Sequence, residues 1–252
     1  MTKVNLTISK DYFIAKKVDR DLSHPFLKDF FIVCDVGGGT GFDTFLIMNC
    51  VCFAIDLDTS LNALKIAKMR VDDIEISNNL GFICASATDL PFRSKILDMI
   101  TSFSVLDHIP GKENAQRAIS EFSDVVRHGG FVTITVPNSL FLIGSLIMKI
   151  KKYTDKDTYF EQRFSPKELQ KMIKSEGLTP ILFDSHYPTV VGYTLLKWNF
   201  PKIIQKVPTR LLYPTLRLAE KIFGIIQHVP WLKLFGSRMG YLSKPRRHAR
   251  AN

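Results

Sequence analysis

Several large protein classes are ruled out by what this chain of 252 residues lacks. It has only four cysteines, Cys34, Cys50, Cys52 and Cys84, and the one close pair is spaced C-x-C with no His or Cys cluster to complete it. That is neither a zinc-finger pattern nor a disulfide framework. Three of the four fall in apolar, strand-like runs and the fourth borders one, so buried free thiols in a reducing compartment are expected. The apolar stretch Ser139 to Ile150 is too short to span a bilayer. Met1 to Lys10 has no apolar signal core, which gives the expectation of a cytoplasmic protein. There are no internal repeats and no low-complexity run. Acid is nearly missing from one part of the chain. Between Ser185 and Asn252, Glu220 stands alone against twelve Lys and Arg, a net +11, whereas the whole chain carries +10. The first 184 residues are therefore close to neutral, and any charge-driven contact belongs to the C-terminal segment.

What is present suits a packed α/β domain. Apolar residues make up 46% of the chain, enough for a core. Short β-branched or aromatic runs alternate with helical patterns. Strands are predicted at Phe30 to Cys34, Val51 to Ile55, Gly81 to Ala85, Asp98 to Ser104, Phe131 to Val136 and Ile181 to Phe183, with a seventh within Thr189 to Trp198. Helices are predicted at Asp11 to Val18, at Phe42 to Met48, after a Thr59 or Ser60 cap, and at Glu113 to Arg127, where Gly129 and Gly130 stop the last. Another opens at Ser165-Pro166-Lys167-Glu168, a capping box with proline at its first position, and closes at Gly177. This rhythm predicts a Rossmann-like, mostly parallel seven-stranded sheet with helices on both faces. The domain is drawn over residues 1–198, with 139–162 as an insertion or lid. Residues 199–252 form a basic, apolar, helical C-terminal extension.

The organising stretch is Phe31 to Asp43, F-I-V-C-D-V-G-G-G-T-G-F-D. It reads as a strand, a glycine turn and a helix start. Such a turn needs positive φ, or a ligand too close for a Cβ, and a ligand on the amides of a helix N-terminus satisfies both. The dinucleotide spacing G-x-G-x-x-G is absent, because its third glycine would fall at Phe42 or Thr44. The spacing present is D-x-G-x-G-x-G: Asp35, Gly37, Gly39, Gly41.

In that form the chain resembles the class I S-adenosylmethionine-dependent methyltransferases, and among them the ubiquinone and menaquinone biosynthesis enzymes, over about Phe31 to Asn138. The resemblance implies S-adenosylmethionine as cofactor. It implies that Gly37, Gly39 and Gly41 let the methionine half lie on backbone and that Asp35 helps hold its ammonium group. Asp56, ending the second predicted strand in F-A-I-D-L-D, is the paired acceptor for the ribose hydroxyls, with Asp58 as the alternative. The loop Ala85 to Phe92 resembles the adenine side of the family's site, which assigns Asp89 to the exocyclic amine and Leu90 to packing on the base. Ser102 to Ile109 resembles the motif after the fourth strand, where His108 is either a catalytic base or a residue that shapes the pocket. Ser104 stands where a further acid would help hold a metal, so no metal is expected.

The function expected is methyl transfer to a small-molecule or lipid-like acceptor, such as a quinone or isoprenoid precursor. The C-terminal extension, with Phe200, Ile203, Leu211, Phe223 and Trp231 among basic residues, suits either an anionic membrane surface, making the protein peripheral, or a lid packed on the domain. Alternatives are a non-catalytic S-adenosylmethionine-binding partner protein, an RNA methyltransferase and an oxidoreductase. Nucleic acid ranks last among the partners, since no recognition module accompanies the basic end.

Overall fold

The computed structural model describes residues 17–72, 79–141, 160–186 and 232–246. The described elements are α1 (Lys17–Ser23), β1 (Ile32–Val36), α2 (Phe42–Met48), β2 (Phe53–Asp58), α3 (Leu61–Asp72), β3 (Leu80–Cys84), β4 (Leu97–Phe103), α4 (Lys112–Val125), β5 (Val126–Pro137), α5 (Pro166–Ser175), β6 (Leu178–His186) and β7 (Arg238–Pro245). The seven strands form one sheet in the order β3-β2-β1-β4-β5-β7-β6. The first five run parallel. β7 inserts antiparallel between β5 and β6. The expected mostly parallel α/β sheet is therefore present.

Alternation along the strands divides the core in two. Cys34, Val36, Ile55 and Leu57 face α4 and α5, packing with Ile119, Phe122, Leu169 and Ile173. Val33, Ala54 and Met99 face α1, α2 and α3, packing with Leu22, Phe45, Ile47 and Ala67. Covered on both faces, β4 buries all seven of its residues, which is why it reads as a continuous run and not as an alternation. α5 starts as its capping box requires: Glu168 N–H donates to Ser165 Oγ at 3.2 Å, and Ser165 N–H donates to the Glu168 carboxylate at 3.2 Å.

Four expectations change. First, the seventh strand lies at Arg238–Pro245, inside the segment assigned to the C-terminal extension, so the sheet does not end at 198. Thr189 to Trp198 and residues 201–231 lie outside the described residues, as do Asp11 to Lys16 and 142–159. Second, Gly129 and Gly130 do not cap α4. The helix ends at Val125 because the β4 approach takes its last carbonyls: Lys95 N–H donates to Asp124 O and Ile96 N–H to Val125 O, each at 2.9 Å. β5 begins at once, and its register against β4 slips between Leu97 and Met99 to accommodate the glycines. Third, β1 runs two residues further than expected, to Val36, and β2 three, to Asp58. Fourth, only Cys34 is buried; Cys50, Cys52 and Cys84 are exposed. Cys50 and Cys52 sit in the connection before β2, and Cys84 ends the edge strand β3.

Candidate active site

Parallel strands deliver their C-terminal ends to one edge of the sheet, where the chain between β1 and β4 reverses. At that edge lies a cleft of about 580 Å³. Its walls are Val36 and Gly37 from the glycine turn, Leu57 to Thr59 from the end of β2, Ala85 to Thr88 after β3, and Ser104, Val105 and His108 to Pro110 after β4.

The turn is built as its composition requires. Gly37, Gly39 and Gly41 have φ of +76°, +64° and +83°. The amides of Gly37 and Gly38 both point to Leu57 O, at 2.6 and 3.3 Å, and fold the turn onto β2. Gly38 has a steric role of its own: a Cβ there would lie 2.3 Å from Asp56 Oδ1 and 2.7 Å from Thr44 Oγ1. No side chain fits between this backbone and the carboxylate beneath it.

Three acids sit at the strand ends, and their partners differ. Asp35 is buried and accepts from Thr44 Oγ1 and Thr101 Oγ1, both at 2.7 Å, so it ties β1 to the start of α2 and to β4. Asp58, on the cleft wall, accepts from Gly39 N–H at 3.0 Å and Ser60 N–H at 2.7 Å. Asp56 is fully buried, and neither carboxylate oxygen has a hydrogen-bond partner among the described residues. Burial, then the charges of Asp35 and Asp58, push its pKa up to about 8. The Thr44 hydroxyl, which donates to Asp35 and lies beside Asp56 as well, offsets part of this.

On the adenine side the structure shifts the expected residues. Ser86 and Asp89 close a small turn, braced by a 2.8 Å contact between the Ser86 and Thr88 hydroxyls. That turn carries Asp89 outward, exposed and off the cleft wall. Leu90 points into the core, its N–H bound to Glu121 at 3.0 Å. Ser86 and Ala87 line the cleft in their place. The short Ala-Ser-Ala-Thr run was the available signal, but small residues carry little chemistry to draw attention.

His108 is on the cleft wall as expected, with its side chain 38% exposed. Its ring is already engaged: Nδ1 lies 3.1 Å from Phe160 O and Nε2 lies 3.3 Å from Asp107 Oδ2. The carbonyl can only accept, so Nδ1 carries a proton, and the Nε2–Asp107 pair shares the other. Asp107 is buried, and desolvation raises its pKa against the lowering effect of His108 and Arg238.

Sequence reasoning missed two supports. Gln162 Nε2 donates to Leu106 O at 2.8 Å and Ile109 O at 2.7 Å, while its backbone N–H donates to Asp107 O at 2.8 Å, which clamps the loop carrying His108. Arg238, the first residue of β7, pairs with Asp19 at 2.9 Å and donates to Ser104 Oγ. Both come from segments far away in sequence, and spacing gave no sign of either. Among the described residues no group of three His, Cys, Asp or Glu could hold a metal.

Residues 34–134 match the family described as the methyltransferase domain. With the sheet order and the cleft, this places the domain in the class I S-adenosylmethionine-dependent methyltransferase superfamily, whose cofactor is S-adenosylmethionine. Among relatives, the Arabidopsis thaliana tRNA (carboxymethyluridine(34)-5-O)-methyltransferase is 33% identical over 105 residues, covering 42% of this chain and 24% of that one. The ubiquinone/menaquinone biosynthesis C-methyltransferase UbiE of Rhizobium etli is 32% identical over 101 residues, covering 39% and 38%. The chain thus spans less than half the length of these curated relatives. In the solved complex between the Haloferax volcanii Trm112 methyltransferase activator and a methyltransferase, the fold superposes with a TM-score of 0.62 at 14% identity, over 96% of this chain and 95% of that one.

Proposed function

We propose that the protein transfers a methyl group from S-adenosylmethionine to a small-molecule or lipid-like acceptor. The observation that carries the reading is the acid-and-glycine cradle at the C-terminal edge: Asp58 lines the cleft and fastens the glycine turn, and Asp56, off the cleft wall beneath Gly38, is a buried carboxylate with no geometric hydrogen-bond partner among the described residues. A vicinal diol supplies two donors to such a group, and a ribose carries one. Gly37 brings side-chain-free backbone to the cleft wall, Asp58 steadies the turn through Gly39 N–H, and Ala85 to Thr88 offer a flat, small-residue wall for a base. When bound, S-adenosylmethionine supplies a methyl group on a positively charged sulfur that leaves as a neutral thioether. The residues around it position the acceptor and exclude water. A cleft of about 580 Å³ is in the range of small-molecule sites, which supports a small acceptor.

The relatives favour a second reading. The match to a tRNA methyltransferase supports RNA as the acceptor, with the basic C-terminal segment as the phosphate-binding face. Membrane association rests on the composition of 199–252. No helix among the described residues is long and apolar enough to cross a membrane.

The discriminating experiment incubates the full chain with methyl-labelled S-adenosylmethionine and a cell extract, then fractionates the label. Label in the organic-soluble or small-molecule fraction is the expected result. Label in RNA establishes the second reading. Tight cofactor binding with no label in any fraction points to a non-catalytic partner protein.

A further inference from the structure

Ser104, directly after β4, has φ +56°, a left-handed conformation shared by only one other non-glycine residue among those described, Lys95. Serine rarely adopts it, and it persists where the surroundings impose it. Two neighbours depend on this turn. Val105 packs on the glycine turn so closely that its Cγ2 lies 2.3 Å from where a Gly37 Cβ would stand. His108 N–H donates to Val105 O at 2.9 Å. Gly37, Ser104, Val105 and His108 all line the cleft, so the turn at Ser104 decides how the wall after β4 meets the glycine turn.

A closed ring of hydrogen bonds holds Ser104. Its N–H donates to Thr135 O at 2.9 Å. The Thr135 hydroxyl donates to Asp19 Oδ1. Asp19 Oδ2 accepts from Arg238 Nη1 at 2.9 Å, and Arg238 Nη2 donates to Ser104 Oγ. The ring joins α1, β5, β7 and the end of β4, segments far apart in sequence. Asp19 and Thr135 are buried, so water does not replace a bond lost between them. Gly240 lets the ring close. It stands opposite Thr135, and a Cβ there would lie 2.6 Å from Thr135 Cγ2 and 2.8 Å from Leu22 Cδ1 of α1. A side chain at that point would push α1, and Asp19 with it, away from Thr135. Asp19 and Arg238 lie off the cleft wall and are paired with each other. Their influence on the cleft therefore passes through Ser104, gripped at its N–H by one arm of the ring and at its hydroxyl by the other.

We infer that Asp19, Thr135 and Arg238 are positioning residues for the cofactor cleft: they hold Ser104 in its left-handed turn and thereby seat Val105 and His108 against the glycine turn. This rests on the methyl-transfer reading and deepens it. Cofactor affinity becomes dependent on α1 and β7, which both lie outside the residues 34–134 that match the methyltransferase domain.

The test uses the full chain, with S-adenosylhomocysteine as the probe. Thr135→Val keeps the shape and removes the hydroxyl that reaches Asp19. Ser104→Ala removes the oxygen that Arg238 holds. Thr135→Ser keeps the hydroxyl. All three leave the Asp19–Arg238 pair in place. Calorimetry is expected to show affinity about 3- to 10-fold weaker in Thr135→Val and in Ser104→Ala, the range for one hydrogen bond, and wild-type affinity in Thr135→Ser. The Thr135→Val, Ser104→Ala double variant should bind within about twofold of the weaker single variant, because a ring opened once is open. Amide exchange in the ligand-free protein should quicken about tenfold at Ser104 to His108 in Thr135→Val, while β1 to β4 stay protected. Losses that multiply in the double variant give Ser104 a contact with the ligand independent of Thr135 and overturn the inference. So does wild-type affinity in Thr135→Val, or Thr135→Ser binding as weakly as Thr135→Val. Faster exchange confined to α1 overturns it as well, since the ring would then be a tie for that helix alone. Wild type that binds neither S-adenosylmethionine nor S-adenosylhomocysteine refutes the methyl-transfer reading itself, and exchange at Ser104 to His108 then still decides whether the ring holds this loop.

Discussion

Asp56→Asn separates the state of one carboxyl from everything around it. In the unfolded chain Asp56 loses its proton near its ordinary value of 3.8; in the folded protein it does so at about 8. Between those values the folded state holds one more proton than the unfolded state, so raising the pH favours unfolding across the window and stops doing so above 8. The interval is about 4 pH units, and at 1.36 kcal/mol per unit its ceiling is on the order of 5 kcal/mol. Relaxation of the glycine turn around the new charge lowers this, and we expect about 2–3 kcal/mol between pH 5.5 and 8. Asparagine has nearly the shape of the protonated acid and cannot ionise. The stability difference, variant minus wild type, should therefore be smallest at low pH, grow in favour of the variant up to pH 8, and then level off. Urea denaturation followed by far-ultraviolet circular dichroism at half-unit pH steps measures it. Other shifted groups are common to both proteins and cancel, and Cys34, which feels the Asp56 charge, titrates well above 9 and outside the window. A difference that stays flat within about 0.5 kcal/mol refutes both the raised pKa and the absence of donors around the carboxylate. Cofactor binding supplies an independent check: if the ribose hydroxyls require the ionised form, wild-type affinity climbs with pH up to 8, and calorimetry in two buffers detects a proton released on binding.

Gln162→Met keeps the volume but removes the side-chain hydrogen bonds to Leu106 O, Ile109 O and Gly111 O in the loop after β4. It should speed amide exchange at residues 106–111 by tenfold or more while strands β1 to β5 stay protected, at a cost of about 1–3 kcal/mol in stability; unchanged exchange in that loop would show that the clamp is redundant. Ser165→Ala breaks the capping box of α5 and should cost about 1 kcal/mol in urea denaturation, with no effect on cofactor affinity. Native-state titration with a thiol reagent should modify Cys50, Cys52 and Cys84 quickly and Cys34 only on unfolding; mass spectrometry showing early modification of Cys34 contradicts its burial.

Local signals carried the first two-thirds of the fold. The glycine turn, α2 and the α5 capping box are set by residues adjacent in sequence, and the structure has them at or near the expected positions. β7 could not be read in the same way. R-M-G-Y-L-S-K-P contains arginine, glycine, lysine and proline, and its strand character comes from two partners, β5 and β6, that meet it only in the folded sheet. The loop after β3 was hard to read for a related reason. The acid in the loop drew the assignment to Asp89, whereas the hydroxyl-braced turn that decides which residues face the cleft depends on Ser86 and Thr88.

The three acids at the strand ends show where composition stops being informative. Asp35, Asp56 and Asp58 carry the same group, and Asp35 and Asp56 face each other in register across β1 and β2. Their differences come from the supply of donors. Thr44 and Thr101 serve Asp35, and the amides of Gly39 and Ser60 serve Asp58. Asp56 lies between them, pressed under a residue that must be glycine, with both its neighbours adding negative charge. A carboxyl left in that position is driven to hold its own proton until a ligand brings donors. D-x-G-x-G-x-G and the acid one strand later could therefore be placed at one edge of the sheet from their spacing. Which acid is left short of donors, and so has its pKa pushed up, depends on two threonines, two amides and the missing Cβ of Gly38.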